Sequence, residues 1–377
     1  MNEKLTDIIA RETDGKSYKA QKYSLDFLSH GYEHFNQSED VKIWKKSAES
    51  SPQKKYIDLQ SISRNLSHSD DQVLTYFLDG SRRAFKVDEI SYEHSKGRRV
   101  IYPVVAGQIS VGCCKRLRRR LIPEKLVQEK VIVLPSTADP DGTPGFFPSI
   151  ALKLNKSRLL KRMGIEISSV LSYEIDKPND SLEDKSIACI QTRMLECERE
   201  LTEQIAKHLD HRNYLIKDGS IEYRKKLNTN IQNYRWVLGL SKTFNPEACF
   251  TDSKKNPGYI AELPVYHRTQ AACFSNAYIG DIKFAVWYIR LHDRRHTRSA
   301  FDGIVKVEKM LVTQSERENE AMNSEEIDTL SAYILNERCP SCYGSDLRWP
   351  NHIYPVYLTE QYIKSKYISS ETFLHLF

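Results

Sequence analysis

Apolar residues recur at two periods along this chain, and the change between them divides it. Near the start, Leu5, Ile8 and Ile9, then Tyr23, Phe27 and Leu28 with Leu25 and Tyr32 nearby, follow roughly helical steps, the spacing of one helix face. Ser51-Pro52 interrupts the pattern, and residues 61–71 are mostly polar. Residues 1–70 therefore read as an N-terminal helical accessory region.

From Val73 the pattern becomes strand-like. Residues 73–78 are an apolar, β-branched and aromatic run stopped by Asp79-Gly80-Ser81, which predicts a strand ending at a turn. Residues 99–111 alternate in the same manner and predict further strands, closed by Gly112 and an Arg-rich stretch. Residues 131–134 predict a short strand ended by Pro135, and residues 139–145, Asp-Pro-Asp-Gly-Thr-Pro-Gly, predict a surface loop. The clearest helix spans residues 187–209, where Ile190, Met194, Cys197, Leu201, Ile205 and Leu209 share one face. Tyr214-Leu215-Ile216 is again strand-like and runs into Asp218-Gly219-Ser220. Residues 235–240 form one more apolar run, residues 283–291 and 303–307 read as paired strands, and residues 327–335 as a short helix after a polar stretch over 316–326. Strands mixed with helices predict an α/β sheet with helices on its faces. The second domain is read as residues 71–377.

Composition agrees with a packed chain. Hydrophobic residues make up 40% and charged residues 28% of 377 positions, enough to bury a core rather than stay disordered. The longest apolar runs, such as residues 131–135 and 284–288, fall well short of the roughly 20 residues of a membrane helix. Residues 1–10 carry acids and no apolar signal core, so the expectation is an unprocessed cytoplasmic protein with no membrane contact.

Lys and Arg total 56 against 50 Asp and Glu, a formal charge of +6. The excess is mild, so its placement matters more. Lys115, Arg116, Arg118, Arg119, Arg120 and Lys125 form one cluster, and Arg290, Arg294, Arg295 and Arg298, with His292 and His296 among them, form a second. Either suits phosphate, and either equally suits a solvated face. The eight Cys are irregularly spaced, which points to reduced thiols. Cys339 and Cys342 have the spacing of half a zinc site, with His352 or Cys273 the only partners in view, and ordinary thiols beside a loop are the plainer alternative.

The chemistry centres on the two Asp-Gly-Ser tripeptides. A single Asp-Gly is usually a turn, but here each closes an apolar run. Carboxylates beyond strand ends, where α/β sheets gather their sites, would make a hard oxygen site for Mg²⁺ or Mn²⁺. A third acid is available on the helix before Asp218. That helix should run antiparallel to the strand it feeds, which places Glu196 near Asp218, with Glu200 one turn later as an alternate; Glu198 and Glu203 are expected to face elsewhere. Three such acids can hold one or two divalent ions for phosphodiester cleavage.

The ordered set Leu78-Asp79-Gly80-Ser81, Arg193-Met194-Leu195-Glu196 and Ile216-Lys217-Asp218-Gly219-Ser220 resembles the nuclease domain of the NurA family. Val237-Leu238-Gly239-Leu240-Ser241-Lys242, then Trp287-Tyr288-Ile289-Arg290-Leu291 followed by Gly303-Ile304-Val305-Lys306-Val307-Glu308, and Tyr354-Pro355-Val356-Tyr357-Leu358 continue the resemblance. It spans about residues 70–365 but matches little between Asp79 and Glu196. It implies an RNase H-like fold and Mn²⁺- or Mg²⁺-dependent DNA cleavage, as 5′-to-3′ exonuclease and single-strand endonuclease. It also implies a homodimer docked on a HerA-type hexameric ATPase. By this resemblance Asp79, Glu196 and Asp218 are the metal ligands, and Lys242 is a phosphate contact or a plain surface lysine. Arg290, Arg118 and Arg119 are the DNA-binding candidates. The family closes its last motif with Ala-His, where this chain has Gln361-Tyr362; Glu360 or His352 is then the candidate for the fourth position.

Two rival classes stand beside this reading. One is a NurA-like adaptor that keeps the fold without the chemistry, and the missing His favours it. The other is a carboxylate-pair hydrolase acting on sugars, against which the neighbouring Arg clusters argue. No phosphate-binding loop is present, so ATP use belongs to a partner. DNA end processing and anti-phage defence both suit such an enzyme.

Overall fold

The computed structural model describes residues 3–26, 43–45, 47–51, 54–67, 72–94, 97–175, 181–222, 230–246, 250–251, 254–275, 282–341 and 349–377. Phe27, Leu28, Tyr32, Pro52 and Cys342 lie outside them. In chain order the N-terminal part holds α1 (Leu5–Glu12), β1 (Lys16–Ser17), β2 (Tyr23–Ser24), β3 (Ile43–Lys45), β4 (Tyr56–Asp58) and α2 (Gln60–Ser67). Three long strands follow, β5 (Leu74–His94), β6 (Arg98–Leu117) and β7 (Arg120–Pro135), then α3 (Phe146–Asn155), α4 (Arg158–Met163), β8 (Ser169–Tyr173) and α5 (Leu182–Ala206). The central strands are β9 (Tyr214–Asp218) and β10 (Val237–Ser241), followed by the minor pair β11 (Phe250–Thr251) and β12 (Lys254–Lys255) and by α6 (Pro257–Ala261). The chain continues through β13 (His267–Thr269), β14 (Ala272–Ser275), β15 (Lys283–Arg290) and β16 (Ile304–Met310) to α7 (Gln314–Asn319), α8 (Ser324–Asn336), α9 (Tyr354–Lys364) and α10 (Ser370–His375).

One mixed sheet organises these elements. Its main path runs β3-β14-β15-β16-β10-β9-β5-β6-β7-β8. Parallel pairing joins β9 to β5 and to β10, and β7 to β8; β15 and β16, read as paired strands from the sequence, pair antiparallel. The α/β class expected from the sequence is what the chain adopts: a large mixed sheet flanked by helices.

Residues 1–70 differ from the helical region expected there. Only α1 and α2 are helical among the described residues, while β1 and β2 add to the edge of β5, β3 to β14 and β4 to β13. Leu25, noted beside the helix-spaced residues, is fully buried and its N–H bonds the Ala84 carbonyl. Two-residue strands are too short to show a period, so their pairing is decided by the open sheet edges they meet.

The strands β5 and β6 also exceed the sequence expectation. Asp79-Gly80-Ser81 is not a turn: β5 continues through it to His94, paired residue for residue with β6 around the tripeptide. Gly112 likewise sits inside β6, and the reversal comes at Arg118, whose φ is +56°. A cross-strand partner supplied from far along the chain satisfies backbone groups that Asp-Gly alone would leave to a turn.

Two cores lie on opposite sides of the central strands. On one side Leu78 and Leu215 pack with Ile190, Met194 and Leu201 of α5. On the other, Phe77, Ile216, Leu238 and Leu240 pack with Leu330 and Ile334 of α8 and Val356 of α9. A third core, including Ile8, Phe85, Val104, Leu134 and Phe373, covers the far part of the long strands. Among the described residues no helix is long and apolar enough to cross a membrane.

Candidate active site

Side-chain alternation along adjacent strands decides which acids meet. Successive residues of a strand point to opposite faces. Phe77 and Asp79 of β5 therefore share one face, and so do Ile216 and Asp218 of β9. Leu78 pairs beside Lys217, which brings Asp79 and Asp218 to neighbouring positions. β9 ends at Asp218, and Gly219, with φ +83°, turns the chain away. Among the described residues, β5 regains a neighbour on that edge at Ala84 and Phe85, from Leu25 and β2. Asp79 thus sits at a step in the sheet although its own strand runs on.

Two further groups complete the cluster on this face. Lys242 directly follows β10, and its Nζ lies 3.0 Å from Asp218 Oδ2 and 3.4 Å from Glu360 Oε2. Asn351 donates to the Lys242 carbonyl at 2.9 Å and fixes the backbone there. Glu360 comes from α9, the helix packed on β5 and β6, where Ile363 lies against Gly112. Its other oxygen accepts from Lys364 at 2.6 Å. His352 is buried beside Tyr357, and its field also favours the ionised Glu360.

Burial makes the charges strong. Asp79 is 5% exposed. Burial first, and then the neighbouring Asp218 charge, push its carboxyl well above the usual range, which Lys242 only partly offsets. Burial alone would lower the Lys242 pKa, but Asp218, Asp79 and Glu360 outweigh it and hold it above an ordinary lysine. For Glu360, burial is overcome by Lys242 and Lys364, and its pKa falls to about 2. Among the described residues, the buried Asp218 Oδ1 finds no hydrogen-bond partner.

The acids expected on α5 are placed differently. Glu196 is on the far side of the sheet from Asp79 and Asp218, because α5 packs on the face bearing Leu78 and Leu215. It pairs with Arg193 at 3.3 Å, and Arg193 is itself held by Glu129 of β7 at 2.6 Å. Glu200 belongs to the same surface group, 3.6 Å from Arg193. Glu198, expected to face elsewhere, points inward instead. It is 3% exposed, and its carboxylate lies against the hydrogen face of Gly80. Lys217 reaches it at 2.7 Å and also donates to the Asp218 carbonyl at 2.7 Å. Residues 196 and 198 stand about 200° apart around a helix, so a two-residue error in phase reverses the face. The Glu198–Lys217 pair backs the site from behind the sheet rather than lining it.

The basic candidates separate as well. Arg290 is 1% exposed, and its guanidinium donates to the carbonyls of Leu263, Asp302, Ala261 and Ala300. Its N–H groups are spent on backbone, so it is a structural tie and not a surface for DNA. Arg118 and Arg119 are exposed at the β6–β7 reversal. Cys339 is buried, and Cys342 lies outside the described residues.

Among the described residues, no group of three or more His, Cys, Asp or Glu side chains stands close enough together to hold a metal ion. The chemistry of the donors, though not their spacing, is that of a hard-cation site. Asp79, Asp218 and Glu360 present carboxylate oxygens on one face, Asp218 Oδ1 finds no partner among the described residues, and the field around Asp79 opposes a further negative charge.

The chain matches no family model, and no curated protein is significantly similar to it. Among solved structures, the crystal structure of the NurA nuclease from Sulfolobus solfataricus resembles it over 84% of this chain and 90% of that chain, with TM-score 0.42 and 9% sequence identity. At that distance no residue role transfers.

Proposed function

We propose that this protein is a divalent-metal-dependent deoxyribonuclease, a phosphodiester hydrolase. The observation that carries the reading is the pairing of Asp79 and Asp218 on one face of adjacent parallel strands, with Lys242 between Asp218 and Glu360. Asp79, Asp218 and Glu360 would hold Mg²⁺ or Mn²⁺, which when bound supplies water activation and charge neutralisation at phosphate. Lys242 orients the Asp218 carboxylate and offers a cation to a phosphate oxygen. Glu198 and Lys217 hold the Asp218 backbone from behind. Exposed Arg118 and Arg119 at the hairpin end add phosphate contacts along the substrate.

The family resemblance in the motifs supports DNA as the substrate, in exonuclease or single-strand endonuclease mode. It also supports a homodimer working with a HerA-type translocase ATPase in end processing or anti-phage defence. Digestion of plasmid and single-stranded DNA with Mn²⁺, comparing the wild type with Asp218→Ala, tests the chemistry. Loss of activity in the variant and in EDTA is expected. Activity that survives the substitution overturns the site, and activity indifferent to EDTA favours the carboxylate-pair hydrolase. No cleavage by the wild type, alone or with the ATPase, leaves the adaptor reading standing.

A further inference from the structure

The geometry points to a second role for Lys242: its ammonium holds the place of the divalent cation in the metal-free protein and gives way when the ion enters. This rests on the metal-dependent reading of the site. Lys242 is the cation shared by Asp218 and Glu360, at 3.0 and 3.4 Å, and its side chain is 12% exposed. Hard divalent ions gather carboxylate oxygens at about 2.0–2.6 Å. An ion drawing on those same two oxygens therefore competes with the ammonium for one position, and like charges so close repel strongly in a buried site.

Among the described residues, the surrounding groups leave Lys242 alone in that role. Lys217, next to Asp218 in sequence, is committed to Glu198 on the opposite face. Lys364 is 41% exposed and reaches only the outer oxygen of Glu360. Asp79, Asp218 and Glu360 all face Lys242, while Lys364 meets Glu360 from outside. Asp218 Oδ1 is buried beside Lys242 and, among the described residues, accepts no hydrogen bond. The backbone of Lys242 is tied by Asn351 at 2.9 Å, so the four-carbon stem is what moves. Displaced from the acids, the ammonium stays tethered beside them, available to phosphate.

Calorimetric titration of Mn²⁺ into the full-length protein without DNA tests this, using the wild type, Lys242→Met, Lys242→Arg and Asp218→Asn. Lys242→Met is expected to bind Mn²⁺ on the order of tenfold more tightly than wild type. Its melting temperature should be lower in EDTA and rise further on adding Mn²⁺. Lys242→Arg keeps the cation and should bind as the wild type does. If Lys242→Met does not fold, Lys242→Gln, neutral and of similar length, is read in its place. Equal or weaker Mn²⁺ affinity in the neutral variant overturns the place-holder. Wild-type affinity in Asp218→Asn overturns instead the assignment of the metal to these acids.

Discussion

Glu198 and Lys217 close a 2.7 Å ion pair behind the sheet, and Lys217 spends another hydrogen bond on the carbonyl of Asp218. Both side chains are almost wholly buried, at 4% and 3% exposure. Removing one partner leaves the other charge stranded in the core. Glu198→Ala or Lys217→Met is therefore expected to cost about 3–5 kcal/mol in urea unfolding. The double variant Glu198→Leu with Lys217→Met should cost less than the two single losses summed, because neither charge is left alone. Additive losses would show that the two side chains act independently.

Gly80 owes its identity to that pair. A Cβ at this position would lie 2.9 Å from Glu198 Cδ and closer still to its carboxylate oxygen. Gly80→Ala is expected to destabilise the fold by roughly 1–3 kcal/mol, the usual range for overpacking. In the background of Glu198→Ala the same change should cost much less. An equal cost in both backgrounds would place the strain elsewhere.

Asp79 is held in an environment that disfavours its charge, through burial and the neighbouring Asp218. Asp79→Asn removes that charge at nearly constant shape. In EDTA at neutral pH the variant should melt a few degrees higher than the wild type, while DNA cleavage is lost. This is the trade expected where function maintains a destabilised group. A lower melting temperature in EDTA would make Asp79 a structural residue.

Glu316 gives a pH signature away from the site. Burial would raise its pKa, but Lys309 Nζ at 2.7 Å and the Thr313 backbone outweigh burial and lower it. A depressed folded-state pKa contributes stability above the unfolded value, and that contribution is lost as pH falls through the folded one. Glu316→Gln keeps the capping box with Thr313 but removes the charge. The variant should be less stable than wild type at pH 7, with the difference shrinking as pH falls below about 4.3. A difference that stays constant across that range would assign the loss to packing instead.

The two arginine clusters should behave oppositely. Arg118→Ser with Arg119→Ser is expected to leave folding intact and weaken DNA binding. The salt slope should fall by about 0.9 for each duplex phosphate that the variant no longer neutralises. Arg290→Ser takes a donor from four carbonyls, of which Ala261 keeps Arg294, so it should lower the melting temperature sharply before any effect on DNA is read. An unchanged salt slope in the Arg118 and Arg119 variant would remove the hairpin end from the DNA path.

The same tripeptide, Asp-Gly-Ser, occurs twice and serves two backbone geometries. At Asp218 the local signal is sufficient. A short apolar run meets a glycine with φ +83°, and Ser220 is then held by Glu308 at 2.7 Å. That strand end and α5 are legible in the same way, because each is set by neighbours a few residues apart. At Asp79 the identical letters run straight through a strand, because β6 supplies a partner at each of them. Nothing within a few residues of Asp79 encodes that partner.

Reading along the chain is enough for the mixed α/β class, and it singles out Asp79, Asp218 and Lys242 as candidates. It also points to α9 as a source of the fourth position, since the missing Ala-His draws attention to Glu360. Which groups stand together depends on the folded sheet. Strand alternation turns Asp79 and Asp218 to the face that receives α9, while α5 packs on the other. That puts Glu360 and Lys242 with the two aspartates and sends Glu196 to Arg193, and it buries Glu198 against Gly80. Facing is a property of the whole sheet: each strand has two sides, and long-range pairing decides which element covers each.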